Sequence, residues 1–269
     1  TTIRMLCGIL APTSGDASVG GFSIHRQSDA VKKSIGYMSQ RFSLYEDLTV
    51  EENIRFFGGV YGLTNDKLRE RRDWVVEMAG LHGRERSLTK TLSGGWKQRL
   101  ALGCAVIHEP QILFLDEPTS GVDPISRRNF WELIRQLSAK GVTILVTTHY
   151  LDEAEYCNDI ILINAGRLIA QGSPKQLKAS HITFPMFEVQ TSDVIRSMEL
   201  LQRESWVLKT SLFGTYLHVG LKDEASRALL QSTLTGQGIV VSKMDKITPS
   251  LEDVFLHLLE QDNSGREET

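Results

Sequence analysis

Two short apolar runs, "ILFL" at 112–115 and "TILV" at 143–146, most narrow what this chain can fold into. Between them "ISRRNFWELIRQLSAK" reads as a helix. Strands that are apolar almost throughout, alternating with helices, indicate a parallel sheet covered on both faces. Ligands of such sheets collect beyond the carboxyl ends of the strands. There the sequence places Asp116 and Glu117 after the first run, and "TTH", ending in His149, after the second.

The rest of the chain fits an α/β reading. "TTIRMLCG" predicts a helix ending near Gly8, and "DASVGGFSI" and "SIGYMSQ" predict short strands. "LTVEENIRFFGGVYG" opens on a capping box, Thr49 with Glu52 three residues later. Its Val50, Ile54, Phe57 and Tyr61 follow helical spacing. Further helices are expected over "DKLRERRDWVVEMAGL", residues 93–109 and "YLDEAEYC", and a strand hairpin over "DIILINAGRLIAQG". After "GSPKQLKAS" the texture changes: "FPMFEV", "WVLKTSLFGTYLHVGL" and "IVVSKMD" read as strands, with one helix among them. The expected division is an α/β domain over 1–175, a small α+β domain over 182–248, and a C-terminal helix and polar tail over 249–269. The tail "DNSGREET" is expected to be disordered.

A formal net charge of -3 gives no reason to expect nucleic acid as a partner. No apolar run approaches the roughly 20 residues that span a bilayer. The three cysteines, Cys7, Cys104 and Cys157, form no pair at metal or redox spacing and read as thiols in a reducing compartment.

Two adjacent carboxylates at a strand end repel each other unless they serve different ligands. Asp116 suits Mg²⁺ bridging phosphate oxygens, and Glu117 suits a water that attacks the terminal phosphate. In "LSGGWKQ", Ser93 can cap a helix, and Gly94 and Gly95 let backbone N–H groups approach an anion. His149 can reach a phosphate and the attacking water. Gln40, at the end of "YMSQ", can touch Mg²⁺ or that water. Each has a plainer reading when taken alone: an acidic turn, an ordinary cap, a core histidine, a polar loop residue.

Taken together, Gln40, Ser93-Gly94-Gly95, Asp116-Glu117 and His149 resemble the ATP-binding cassette of ABC transporters. Gln40 matches the Q-loop, "LSGGWKQ" the signature motif, "ILFLDE" the Walker B strand with its glutamate, Asp123 of "SGVD" the D-loop, and His149 the switch histidine. Trp96 departs from the polar or flexible residue usual after the two glycines, and is expected to pack against neighbouring helices. The resemblance implies a P-loop NTPase-type parallel sheet with a helical subdomain, binding ATP with Mg²⁺. It sets Thr1 directly after the Walker A Ser/Thr, facing the α-phosphate. It thereby implies a cassette truncated after Walker A, without the Walker A lysine and inactive alone. It implies a second cassette as partner, in a head-to-tail dimer or a tandem fusion, with Ser93 holding the partner's γ-phosphate.

The phrases "RFSLYEDLTVEENIRFF", "DEPTSGVDP" and "HYLDEAEYC" are similar to drug-resistance-type bacterial exporter ATPases. That implies a membrane permease met near Leu44 and Tyr45, on the cytoplasmic face of the inner membrane. The alternative is a soluble relative acting on ribosomes or translation, for which no charged interdomain linker is visible.

Overall fold

The computed structural model describes residues 1–41 and 43–267, with side chains as far as residue 262. They form two compact units, Thr1–His149 and Tyr150–Thr269.

The first unit runs α1 (Thr2–Leu6), a hairpin of β1 (Ser18–Val19) and β2 (Phe22–Ser23), α2 (Ser28–Ser34) and β3 (Ile35–Met38). Then come α3 (Val50–Val60), α4 (Asn65–Ala79), α5 (Gly94–Ala105), β4 (Ile112–Asp116), α6 (Pro124–Ala139) and β5 (Thr143–Thr147). The strands β3, β4 and β5 pair in that order, all parallel. Met38 stands beside Leu115, and Leu115 beside Val146, so the three carboxyl ends share one edge. This is the expected α/β architecture. The expected cover on both faces holds for β4, whose Leu113, Phe114 and Leu115 are buried. It does not hold for β5, which flanks the described sheet on one side and leaves Leu145 exposed.

Helices α3, α4 and α5 bury a separate cluster that includes Ile54, Val75, Leu100 and Ile107. The capping box forms as expected: Thr49 Oγ1 accepts from the Glu52 amide, and Glu52 accepts from the Thr49 amide. Helix α5 stops at Ala105, short of the expected residue 109. The stop is set by Pro110, which has no N–H to give the Val106 carbonyl and disfavours a helical residue before it. Glu109 takes φ 59, and Arg71 of α4 donates to the freed carbonyls of Val106 and Ile107. Trp96 packs on this helical cluster as expected, with Arg84 stacked 3.7 Å from its ring centre.

The second unit begins with α7 (Leu151–Ala154), the antiparallel hairpin of β6 (Ile160–Asn164) and β7 (Arg167–Gly172), and α8 (Pro174–His181). It continues β8 (Met186–Thr191), α9 (Val194–Leu201), β9 (Val207–Phe213), β10 (Tyr216–Leu221), α10 (Ser226–Gly236), β11 (Val241–Ile247) and α11 (Leu251–Glu267). From β8 to β11 the order is βαββαβ, and the sheet runs β11-β8-β10-β9, the split βαβ arrangement. Leu201 of α9 and Leu230 and Leu234 of α10 pack on Phe187, Val189, Leu217 and Val219. Helix α11 buries Leu251, Val254 and Leu258 against Met186, Leu177 and the hairpin residues Ile160 and Leu162.

The start of α11 is fastened by a buried polar cluster. Asp253 caps its own helix by accepting from the Ser250 amide and hydroxyl. Its other oxygen lies 3.0 Å from His218 Nδ1 of β10. Lys209 of β9 donates to the Asp253 carbonyl at 2.9 Å. Burial pushes the Asp253 carboxyl up, but the bonds from His218 and Ser250 outweigh it and leave the group below its ordinary range.

The expected disorder of "DNSGREET" is corrected. Helix α11 runs on to Glu267, with Asp262 accepting a 2.9 Å bond from Asn164 of β6. An established helix adds residues at little cost. The last two residues of that tail lie outside the described residues.

Candidate nucleotide site

The parallel register builds the site. Two residues beyond the Met38–Leu115 pair stand Gln40 and Glu117, and Gln40 Nε2 donates to Glu117 Oε2 at 2.8 Å. Two residues beyond Thr147, which pairs with Asp116, stands His149. Its Nδ1 lies 3.2 Å from the same Glu117 oxygen. Three strand ends therefore converge on one carboxylate oxygen. Glu117 holds this position at φ 46, a left-handed conformation that non-glycine residues adopt at a cost.

Asp116 and Glu117 point to different neighbours. Asp116 Oδ1 accepts from the Thr147 hydroxyl at 2.7 Å, and its charge raises the ordinary range of nearby groups. Burial first, and then the Asp116 charge, push the Cys7 thiol up to about 12. The same two causes, in the same order, raise the Tyr37 hydroxyl.

Ser93 occupies the cap position of α5, but its exposed hydroxyl makes no bond to its own helix, contrary to the expected capping role. Gly94 is open, with nothing within 4 Å of where a Cβ would stand, while a Cβ on Gly95 would fall 2.6 Å from Ser126 Oγ of α6. Gly95 is thus required for helix packing. Asp123 caps α6 through Oδ1, which accepts from the amides of Ile125 and Ser126. The Ser126 hydroxyl and amide hold its carboxyl below the ordinary range.

The structure brings Gln40, Asp116, Glu117 and His149 together. Ser93, Gly94, Gly95, Asp123 and Thr1 make no direct bond to that group. Thr1 precedes α1 and is exposed. Tyr45 is 50% exposed and meets Phe56 edge-on, but Leu44 is half-buried against the α3–α5 cluster, which corrects its expected exposure.

Two residues escaped the sequence reading. Gln98, fully buried in α5, donates to the Pro118 carbonyl at 2.6 Å and ties the glycine-led helix to the residue after Glu117. A glutamine three residues past a glycine pair was the available signal. Thr147 was the other; only the strand register reveals it.

Comparison with known proteins places this geometry in a family. A model described as "ABC transporter" matches residues 1–120, and one described as "ATP-binding protein DrrA1-3-like, C-terminal domain" matches 172–259. The "Probable multidrug ABC transporter ATP-binding protein YbhF" of Escherichia coli (strain K12) is 53% identical over 179 residues, covering 66% of this chain and 31% of that protein. The linearmycin resistance ATP-binding protein LnrL of Bacillus subtilis (strain 168) is 40% identical over 178 residues, 66% of this chain and 57% of that one. The chain therefore spans less than two thirds of either relative. The Nod factor export ATP-binding protein I of Cupriavidus metallidurans is 35% identical over 268 residues, 99% of this chain and 84% of that protein. Among solved structures, cbiO1 from Clostridium perfringens, part of the ABC transporter complex cbiONQ, aligns with a TM-score of 0.60 at 30% identity, covering 66% of this chain and 74% of that one. With matching motifs, matching fold and a relative aligned over almost its full length, the chain belongs to the ATP-binding proteins of ABC transporters, with a C-terminal domain of the DrrA type.

Proposed function

We propose that this chain is the ATP-binding and ATP-hydrolysing part of a bacterial exporter, and that closure of paired cassettes on ATP drives a membrane permease. The carrying observation is the convergence of Gln40 and His149 on Glu117 Oε2. On this reading Glu117 accepts the proton of the attacking water, while Gln40 and His149 hold its carboxylate and sense the γ-phosphate. Ser93, Gly94 and Gly95 present a hydroxyl and the amide-rich start of α5 to nucleotide held by a partner cassette, in a head-to-tail dimer or a tandem fusion. Asp123 acts beside that nucleotide, while Thr1 faces the α-phosphate of nucleotide in the chain's own site.

The residues fit Mg²⁺. Thr147 occupies one Asp116 oxygen and leaves the other as a hard donor, and no cluster of three His, Cys, Asp or Glu among the described residues forms an all-protein cage. That suits a cation bound through one carboxylate together with phosphate oxygens and water. When bound, Mg²⁺ would neutralise developing charge on the phosphates, with Asp116 and Gln40 beside it.

Export is supported by the names of the relatives, which concern multidrug transport, linearmycin resistance and Nod factor export. Residues 1–175 are assigned to the cassette, 182–248 to an accessory domain, and 249–269 to a C-terminal helix and polar tail whose Asp253 is fastened to that domain by His218 and Lys209. No described helix is long and apolar enough to cross a membrane. On the exporter reading the cassette works at the cytoplasmic face of the inner membrane, against a permease.

The test is Glu117→Gln in the intact gene product. Turnover should fall by about 100-fold or more, and Mg-ATP should shift the protein to a stable dimer in size-exclusion chromatography. Near-normal turnover removes Glu117 from this role. Co-purification with ribosomes and with no membrane protein overturns the exporter assignment.

A further inference from the structure

We propose that Thr147 is a positioning residue that assigns the two adjacent carboxylates to their separate tasks. The inference rests on the nucleotide-site reading above. Its basis is the two-sided use of one hydroxyl. Thr147 Oγ1 donates to Asp116 Oδ1 at 2.7 Å and accepts from the Glu117 amide at 3.0 Å. A hydroxyl has one proton, and that proton is committed to Asp116, because the Glu117 amide already supplies the other bond.

Each half of this clamp has a chemical consequence. Strands β4 and β5 pair Asp116 with Thr147, so the two side chains stand side by side on one face of the sheet. Bonding to Oδ1 fixes the rotation of the Asp116 carboxylate and leaves Oδ2 to face a cation. A freely rotating carboxylate would present either oxygen and lose that orientation. On the other side, the Glu117 amide is shared between the Thr147 hydroxyl and the Thr147 carbonyl, both at 3.0 Å. These two acceptors hold the amide of a residue whose φ is 46. From that backbone position the Glu117 side chain reaches Gln40 and His149. The β-branched side chain suits this task, because threonine in a strand has few χ1 options. Thr147 touches neither water nor phosphate in this role; it acts through Asp116 and Glu117.

The experiment compares Thr147→Val, which keeps the shape and removes the hydroxyl, with Thr147→Ser, which keeps the hydroxyl. Two readouts are taken on the intact gene product. The first is the equilibrium affinity for a fluorescent non-hydrolysable ATP analogue, with and without Mg²⁺. The second is the Mg²⁺ concentration that half-activates turnover. For Thr147→Val, the enhancement of analogue binding by Mg²⁺ should fall by about 10-fold or more, and the half-activating Mg²⁺ concentration should rise by a similar factor. Affinity without Mg²⁺ should stay the same. Thr147→Ser should lie close to wild type in both. A purely structural role would lower thermal stability and affinity with and without Mg²⁺ alike. Mg²⁺ enhancement of wild-type size in Thr147→Val overturns the proposal. A wild-type protein that binds the analogue equally with and without Mg²⁺ overturns the Mg²⁺ assignment of Asp116, and this inference with it.

Discussion

A Cβ built on Gly95 would fall 2.6 Å from Ser126 Oγ and 2.9 Å from Ser126 Cβ, whereas one built on Gly94 meets nothing within 4 Å. The two glycines of one motif therefore answer to different constraints, and substitution separates them. Gly95→Ala should destabilise the first unit by about 1–3 kcal/mol through overpacking, read as a lowered thermal midpoint. Gly94→Ala should leave stability within about 0.5 kcal/mol, while nucleotide-dependent pairing of cassettes weakens because a methyl intrudes where an anion would sit. Equal loss of stability in both variants would contradict this division. Ser93 belongs with Gly94: its exposed hydroxyl is not spent on its own helix and remains available to a ligand. None of this distinction was readable from "LSGGWKQ" itself, since Ser126 is distant in sequence and meets Gly95 only when α6 folds beside α5.

Helix α11 shows how an element can be held by polar contacts as well as apolar ones. Its Leu251, Val254 and Leu258 lie in an apolar cluster, but its first turn is fixed by Asp253, with His218, Lys209 and Ser250 around it. Removing a buried charge from such a set strands its partners. Asp253→Ala should cost about 3–5 kcal/mol, read by denaturant unfolding of the second unit. The pH sense follows from the depressed carboxyl: Asp253 stabilises fully above the ordinary carboxylate value of about 4, and this contribution disappears as the pH falls through the lower folded-state value. In Asp253→Ala the acid-side loss of stability should be shallower than in wild type. The helix was legible from "PSLEDVFLHLLEQ", and so was the strand texture of the unit. Helix α9 was missed, because eight residues after the Asp193 cap give too few turns for a periodic signal. The inward direction of Lys209 and His218 was also invisible, because a charged residue in a strand ordinarily reads as facing solvent.

At the scale of the molecule, two compact units with separate apolar clusters predict two unfolding events. Trp74, Trp96 and Trp131 report on the first unit and Trp206 on the second. In a Trp206→Phe background, adding Asp253→Ala should leave the fluorescence transition in place and move part of the far-ultraviolet circular dichroism transition to lower denaturant. Identical shifts in both signals would mean that the units unfold together. The sheet edge was legible in the sequence because parallel strands put their carboxyl ends on one side, so Gln40, Asp116, Glu117 and His149 could be grouped from the strand pattern alone. What the sequence withheld was register, and with it Thr147 and the single oxygen on which Gln40 and His149 converge. The cysteines carry a last consequence. Burial pushes all three thiols above their ordinary value, and Cys7 to about 12. Because only a thiolate attacks an electrophile, this upward push makes the thiols poorer nucleophiles at neutral pH. A cysteine placed at exposed Tyr45 should therefore react with a maleimide dye ahead of the native thiols, with no need to replace Cys7, Cys104 and Cys157 first.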